Sequence, residues 1–277
     1  MRAMMIGDIV GEPGLEILEE ELPSLITKHN IDFVTANGEN TAGGFGMTEK
    51  EFNRIISAGA DVVTSGNHVW EKREFWPVLE NEKNILRPAN FPAAAVLKSC
   101  DARWTPKNPG TFEVPGKGFV HIEKNGINWF VVNLHGRELL GAIDCPFKCF
   151  DWIIDNFVSA LNSPPVILVD FHAESSREKE AFGFYADGRA ALIAGTHTHV
   201  QTADERILPK GSAFITDIGM TGINESVIGM DPKICIERFR TNIQYQMKIA
   251  VNKPAQIQGV IVDIDAETGK AVSIERI

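Results

Sequence analysis

Residues 192–199 read Leu-Ile-Ala-Gly-Thr-His-Thr-His, a short apolar run that leads directly into two histidines. An apolar run of this length, followed by glycine, is typical of a buried strand. Two histidines separated by one residue at the end of a strand can direct both imidazole rings at one site. A solvent-facing pair is the alternative for this stretch by itself, and the rest of the sequence favours the first interpretation.

The same arrangement, an apolar run followed by polar side chains, occurs at four other places. In chain order, Asp8 follows residues 4–7, Glu39 and Asn40 follow residues 33–38, Asn67 and His68 follow residues 62–66, and His172 follows residues 166–171. Ligands of open α/β sheets bind beyond the carboxyl ends of the strands, so five segments can converge on one crevice. Each segment alone could be a turn, a helix cap or a hydrogen-bonded histidine, but the five together indicate one site.

The order of the predicted elements indicates an α/β fold. Strands alternate with helices early in the chain, and hairpins are predicted around Asn125-Gly126 and around residues 267–269. We therefore expect mixed β-sheets covered by helices, in one domain that spans residues 1–277. Residues 93–115, which are rich in proline, lysine and small side chains, are expected to form an excursion or loop.

Local signals predict where several helices begin. Helical periodicity is found over residues 15–28, 70–79 and 147–161. Capping-box patterns at residues 48–51 and 175–178 predict two further helix starts, because a Ser or Thr and a Glu three residues later can satisfy each other's backbone N–H groups. The pair Asp231-Pro232 predicts another start, since proline fits the first helical turn.

Composition limits the classes of protein to which the chain can belong. The 277 residues are 44% hydrophobic and carry 27 basic and 37 acidic side chains, a net charge of −10. This balance argues against binding to long nucleic acids, because phosphate contacts need clustered lysine and arginine. Residues 3–10 are too short an apolar stretch for a membrane span or a secretory signal, so we expect a cytoplasmic protein. The four cysteines lack zinc-finger spacing and are expected to be reduced thiols: Cys100, Cys145, Cys149 and Cys235.

The candidate residues form a chemically coherent ligand set. Carboxylate oxygens, amide oxygens and imidazole nitrogens suit manganese, iron or zinc. The set contains no thiolate, which argues against a structural zinc site. A carboxylate can bridge two metals, and two cations about 3.5–4 Å apart can clamp the attacking and leaving oxygens of a phosphoryl transfer. Bound metal also lowers the pKa of water enough to supply hydroxide near neutral pH. The glycine-rich residues 43–46 lack the Walker lysine and are expected to give flexibility beside Glu39 and Asn40.

These residues resemble the sequence blocks of the calcineurin-like metallophosphoesterases. The corresponding blocks here are Gly7-Asp8, Glu39-Asn40, Gly66-Asn67-His68, His172 and the run from Gly195 to His199. Three departures point to a narrower group: Val10 stands where a histidine is usual, Asn37 to Asn40 replace the usual acidic block, and Thr196 is inserted in the last block. With the runs at residues 87–92, 195–204, 216–222 and 229–231, nearly the whole chain resembles the YmdB-like bacterial phosphodiesterases.

The resemblance implies a fold, an activity and a role for each residue. It implies two mixed sheets packed as a sandwich flanked by helices, and hydrolysis of small phosphodiesters, in particular 2′,3′-cyclic nucleotides, with two iron or manganese ions. Asp8, Asn40 and His199 would hold one metal, Asn67, His172 and His197 the other, and Glu39 would bridge them. His68 would protonate the leaving alkoxide, a role suited to a group that titrates near neutrality. His135 is atypical, because an amide side chain is expected there.

Two other functions stay open on the sequence. The same ligand set could hydrolyse phosphomonoesters or phosphoproteins. Alternatively, the metal site could bind a nucleotide for regulation with little turnover, although a binding protein has no need of the proton donor that His68 supplies. The sequence also leaves the oligomeric state open, because Trp70, Trp76 and Trp104 could belong either to an interface between copies of the chain in a homo-oligomer or to the core.

Overall fold

The computed structural model describes residues 1–92, 114–161 and 163–277. The excursion predicted at residues 93–115 therefore lies, apart from its last two residues, outside the described residues, as do Cys100 and Trp104. The helices and strands of the described part are, in chain order, β1 (Arg2–Ile6), β2 (Asp8–Ile9), α1 (Gly11–His29), β3 (Phe33–Asn37), α2 (Glu49–Ala58), β4 (Val62–Thr64), α3 (Trp76–Asn81), β5 (Phe119–Lys124), β6 (Ile127–His135), α4 (Pro146–Ile153), β7 (Val166–His172), α5 (Ser176–Ala186), β8 (Leu192–Thr196), β9 (Arg206–Ile207), β10 (Ala213–Ile215), β11 (Met220–Ile223), α6 (Pro232–Thr241), β12 (Ala255–Gln256), β13 (Gly259–Ile264) and β14 (Ala271–Arg276).

The strands form two large mixed sheets and one small sheet. The first large sheet has the order β14-β13-β1-β3-β4, in which β1, β3 and β4 are parallel and the last two strands of the chain are antiparallel to their neighbours. The second has the order β5-β6-β7-β8-β10-β9, in which β6, β7, β8 and β10 are parallel. Helices connect most of the parallel strands, because such strands need a crossover connection.

Alternation of side chains along the strands builds four layers. Successive residues of a strand point to opposite faces of its sheet. In β1, Met4 packs with the buried side of α1 and α2, whereas Met5 packs with residues of the second sheet. In β7, Leu168 faces the first sheet, whereas Val169 packs against α4 and α5. The expected sandwich of two mixed sheets with helices on its outer faces is confirmed.

Several local predictions are confirmed by the structure. Helix α2 begins with the predicted capping box, in which Thr48 N donates to the Glu51 carboxylate at 2.8 Å. Helix α6 begins after Asp231, whose carboxylate accepts two backbone N–H groups of the first turn. The hairpin between β5 and β6 turns at Asn125 and Gly126, both of which have the positive φ that this turn requires.

Two helix predictions are wrong in part. The helix predicted at residues 70–79 is α-helical only from Trp76 onward. Pro77 lies in the first turn of this helix, a position that suits proline, and a 3₁₀ turn comes before it. The capping box predicted at residues 175–178 is incomplete. The Glu178 carboxylate accepts from the backbone N–H groups of Arg137 and Glu138 rather than from its own helix start. A tertiary contact has replaced the local one.

The first strand of the chain ends before Gly7, and a separate short strand begins at Asp8, so the break at Gly7 positions Asp8. Gly7 N donates to Gln258 O at 2.9 Å, and a Cβ at Gly7 would lie 2.2 Å from Gly219 O, so only glycine fits. The chain then leaves the first sheet and pairs with β11 in the small sheet β12-β11-β2. The sequence did not predict this small sheet. Through it Asp8 reaches the turn after β8, where His197 N donates to its carboxylate at 3.1 Å.

Candidate metal centre

The predicted site residues lie at the ends of parallel strands from both large sheets. His172 is the last residue of β7, Asp8 is the first residue of β2, and the remaining candidates lie in the turns after β3, β4 and β8. Direct contacts join most of them into one cluster. Asn40 lies at the edge of this cluster, where its backbone forms a β-bridge with Val10. The cluster consists of Asp8, Glu39, Asn67, His68, His172, His197 and His199.

The Nε2 atom of His172 is the centre of one half of the cluster. It lies 2.9 Å from Glu39 Oε1, 2.9 Å from Asn67 Oδ1 and 3.1 Å from His197 Nδ1. Bonds of about 2.0–2.2 Å from a metal to ligands at right angles place neighbouring donor atoms about 3 Å apart. These spacings are therefore those of ligands around a common cation, and Glu39, His172 and His197 offer ligand atoms that all lie within 4.8 Å of one another.

Hydrogen bonds on the far side of the His172 ring determine which nitrogen carries the proton. Thr196 Oγ1 donates to Asp170 Oδ1 at 2.6 Å, so this hydroxyl accepts the bond from His172 Nδ1 at 2.9 Å. The Nε2 lone pair is then directed into the cluster. Asp170 is buried and also accepts from Thr64 and Asn37, which fixes its position.

His197 is oriented in the same way by Glu174, a residue that the sequence did not single out. His197 Nε2 lies 3.1 Å from Glu174 Oε2, and an ionised carboxylate can only accept. The proton is therefore on Nε2, and the Nδ1 lone pair faces His172. Two imidazole lone pairs 3.1 Å apart, with a carboxylate and an amide oxygen beside them, repel one another unless positive charge lies between them. This donor set fits a metal ion.

The other half contains Asp8 and His199, with Asn40 at the edge of the cluster beside them. His199 Nδ1 lies 3.0 Å from Ile228 O, which can only accept, so the Nε2 lone pair is free to face Asp8 Oδ1 at 3.9 Å. Asp8 Oδ1 and Asn40 Oδ1 are buried and have no hydrogen-bond partner among the described residues. A buried acceptor without a partner costs about 1–3 kcal/mol. A second cation would satisfy both oxygens.

Proton equilibria show that the cluster stabilises positive charge. Burial opposes ionisation of Glu39, but the adjacent His172 holds the pKa of Glu39 at about 2. Burial likewise disfavours the charged form of His172, but Glu39, and then Asp8, raise the pKa of His172 to about 9. Burial and the nearby His172 lower the pKa of His197 to about 3. One positive charge among the acceptors is therefore favourable, and either a proton or a metal can supply it.

His68 lies on the solvent side of the cluster. Its backbone N donates to Glu39 Oε2 at 3.0 Å, which places the side chain next to the shared carboxylate. The ring is 24% exposed, with Nδ1 3.6 Å from Glu71 Oε1. Its other side contacts Phe45 edge-on at 5.0 Å between ring centroids. A partly exposed imidazole in this place can exchange protons with solvent and reach a molecule bound at the cluster.

His135 lies beside the cluster rather than in it. The register of β6 and β7 pairs it with His172, and the two ring centroids are 5.9 Å apart. Its Nδ1 is 2.5 Å from Gly136 O, and burial lowers the pKa of His135 to about 4. His135 is therefore a neutral imidazole that packs against His172 where the sequence pattern predicts an amide.

The four-layer fold and the mixed oxygen and nitrogen ligand set are the features expected of a metallophosphoesterase. The model of the family described as YmdB-like protein matches residues 4–277, and the chain belongs to this family. None of the helices in the described residues combines the length and the apolar character that crossing a bilayer requires.

Relatives of the family cover the whole chain. A 2′,3′-cyclic-nucleotide 2′-phosphodiesterase of Bacillus subtilis (strain 168) is 46% identical over 277 residues, which is 100% of this chain and 96% of the relative. The crystal structure of a hypothetical protein from Thermus thermophilus has a TM-score of 0.85 and 35% identity, and covers 100% of this chain and 98% of its own. The crystal structure of a novel phosphatase from Mycoplasma pneumoniae has a TM-score of 0.85 and 34% identity, and the match covers 100% of this chain and 92% of the phosphatase chain.

Proposed function

We propose that this protein is a dinuclear metal-dependent phosphodiesterase that hydrolyses small phosphodiesters, with 2′,3′-cyclic nucleotides as the substrate class. The observation that carries the proposal is a group of four acceptor atoms from four segments of the chain. His172 Nε2 is one of them, and the other three lie 2.9–3.1 Å from it. The substrate class is supported by the activity in the name of the relative from Bacillus subtilis.

Two metal ions, with iron or manganese as the proposed elements, would be held by the two halves of the cluster. Asn67, His172 and His197 would hold one, and the set of Asp8, Asn40 and His199 the other. Glu39 is the candidate for the shared ligand on the family resemblance, and its Oε1 lies 2.9 Å from His172 Nε2. When bound, such ions polarise a phosphate and lower the pKa of a water molecule that attacks it.

The protein itself would supply orientation and a proton. Asp170 acts through Thr196 to keep the His172 lone pair directed at the proposed metal site, and Glu174 does the same for His197. His68 would donate a proton to the oxygen that leaves phosphorus. A ribose alkoxide is a poor leaving group, so general-acid catalysis is needed there and contributes about 10²–10⁴-fold.

Phosphomonoester hydrolysis is the second candidate, because a relative of known structure carries the name phosphatase. The two substrate classes differ in charge at the reacting phosphate. A monoester carries one negative charge more than a diester, and the cluster already contains the carboxylates of Asp8 and Glu39. The two proposed metal ions would outweigh these carboxylates, so charge does not decide between the two substrates, and a direct comparison of their hydrolysis does. Regulation through nucleotide binding with little turnover is the third candidate, and the proton donor His68 argues against it.

The test is hydrolysis of bis-p-nitrophenyl phosphate, p-nitrophenyl phosphate and 2′,3′-cyclic AMP by chelator-stripped protein to which manganese or iron is returned. We expect metal-restored cleavage of the two diesters, and loss of it in Glu39→Gln. Glu49→Gln, an exposed glutamate at the start of α2, is the matched control and should behave as wild type. No turnover of any substrate by protein that holds two metals would favour the regulatory function. Faster cleavage of the monoester would favour the phosphatase.

A further inference from the structure

The turn that carries two of the proposed ligands has an unfavourable backbone conformation. His197 has φ = 97° and His199 has φ = 62°, both in the left-handed region that residues other than glycine avoid. Such a residue costs about 1–3 kcal/mol and persists only where its surroundings hold it in place. Thr198 lies between the two histidines, so its contacts help to hold both residues in this conformation.

The contacts of Thr198 go to a buried carboxylate. Asp217 Oδ2 accepts from Thr198 N at 3.2 Å and from Thr198 Oγ1 at 2.8 Å. Its other oxygen, Oδ1, accepts from Gly219 N at 2.9 Å, so the carboxylate itself cannot rotate. Asp217 is fully buried, and neither of its oxygens is among the ligand atoms of the cluster.

A buried lysine is paired with this carboxylate. Lys179 Nζ donates to Asp217 Oδ2 at 2.7 Å, and the side chains of both residues are at most 1% exposed. The stem of Lys179 passes over Gly195, where a Cβ would lie 2.9 Å from Lys179 Cδ and 1.8 Å from Thr216 O. Glycine at this position therefore makes room for the lysine directly behind the histidine turn. An ion pair so deeply buried is expensive in desolvation, and stability alone does not account for it.

We infer that Asp217, anchored by Lys179, is a positioning residue that holds the His197-Thr198-His199 turn in its metal-binding conformation. The inference rests on the proposed function, because it assigns a role relative to the same metal site. The pair reaches both halves of the cluster at once, since His197 belongs to one half and His199 to the other. Partners of this kind typically change metal affinity by about 10–100-fold.

The test is manganese binding by chelator-stripped protein, followed through the electron paramagnetic resonance signal of free Mn²⁺, with Tm measured on the same samples. Asp217→Asn and Lys179→Met are each expected to weaken manganese binding by about 10–100-fold. Thr198→Val is the milder variant, because it removes the hydroxyl donor and keeps the backbone N–H and the side-chain shape. It should weaken binding in the same direction even if the buried-charge variants fold poorly.

Asp187→Asn is the matched control. Asp187 is also buried and also accepts backbone N–H groups, from Lys210 and Ser212, but it lies at the amino end of β8, away from the cluster. We expect it to lower Tm and to leave manganese affinity unchanged. A lowered Tm with wild-type manganese affinity in Thr198→Val and Asp217→Asn would overturn the positioning role. Wild-type protein that binds neither manganese nor iron would overturn the proposed function together with this inference.

Discussion

The two halves of the cluster differ in how completely the protein has organised them. Around His172 Nε2 the ligand atoms are already about 3 Å apart, and the hydrogen bonds that the two imidazole rings donate to Thr196 and Glu174 fix both rings. In the other half His199 Nε2 is 3.9 Å from Asp8 Oδ1, and two buried oxygens have no partner among the described residues. The first half is preorganised, whereas the second is expected to tighten only around a cation.

This difference has a cause in the fold. In the His172 half, His172 and His197 follow β7 and β8, central strands with neighbours on both sides. The other half shares the turn after β8 through His199, but its remaining ligands depend on the two-residue strand β2 and on the turn before α2, which carries Asn40. A short strand contributes few ladder hydrogen bonds, so its position depends more on what binds to it. Metal affinity should therefore be higher at the His172 half.

The largest effect is expected from a change that removes the group common to both halves. Glu39→Gln takes away the charge that both metals would share, and one of its two acceptor oxygens. We expect diesterase activity to fall by more than the roughly 100-fold that outer partners cause, because both sites are affected. Steady-state rates at saturating metal measure this. Activity near the wild-type level would show that Glu39 does not join the two halves.

His68→Ala is expected to have the next largest effect, and the effect should depend on the leaving group. Hydrolysis of 2′,3′-cyclic AMP should slow by about 10²–10⁴-fold, because a ribose alkoxide needs a proton as it leaves. Hydrolysis of bis-p-nitrophenyl phosphate should change much less, because nitrophenolate leaves without one. Metal content should stay at the wild-type level. Equal losses on both substrates would show that His68 serves some purpose other than proton donation.

His199→Ala tests the comparison of the two halves directly. Removing this ligand should leave one metal bound per chain, in the His172 half, where four acceptor atoms still converge. Metal analysis of the dialysed protein gives the number. The same protein should lose only part of the thermal stabilisation by metal, which is about 2.7 kcal/mol for each site at a metal concentration of 100 times Kd. Loss of both metals would mean that the halves do not bind independently.

Much of this site could be predicted from the sequence, because its signal is local. Each ligand follows an apolar run, and the carboxyl ends of parallel strands meet at one edge of a sheet. Asp8, His172 and His197 could therefore be placed together without any coordinates. The hairpin at Asn125-Gly126 and the capping box at Thr48 were predictable for the same reason, since every residue that they need lies within a few positions.

The remaining features depend on tertiary contacts and leave no local signal. The small sheet exists because β2 pairs with β11, more than 200 residues away in the chain. Glu174 orients His197, but in sequence it is one more acidic residue ahead of a helix. Glu178 leaves its expected capping role because the backbone of residues 137–138 offers it two N–H groups. Partner choices of this kind depend on which elements pack together, and a sequence pattern does not contain that information.

Glu174→Gln should give the smallest effect, and its size measures how well the His172 half is preorganised. The glutamine can still accept the bond from His197 Nε2, but without the charge, and the side chain is 45% exposed, so water can replace it. We expect a loss in metal affinity of about 10-fold, at the low end for such partners. Glu178→Gln in the first turn of α5 is the control, since its carboxylate accepts from the backbone of residues 137–138 instead. Manganese titration of the two variants distinguishes the outcomes. If Glu174→Gln binds as wild type, the Nδ1 lone pair of His197 is directed by packing against His172 alone. The preorganisation of this half would then come from the strands rather than from the carboxylates around them.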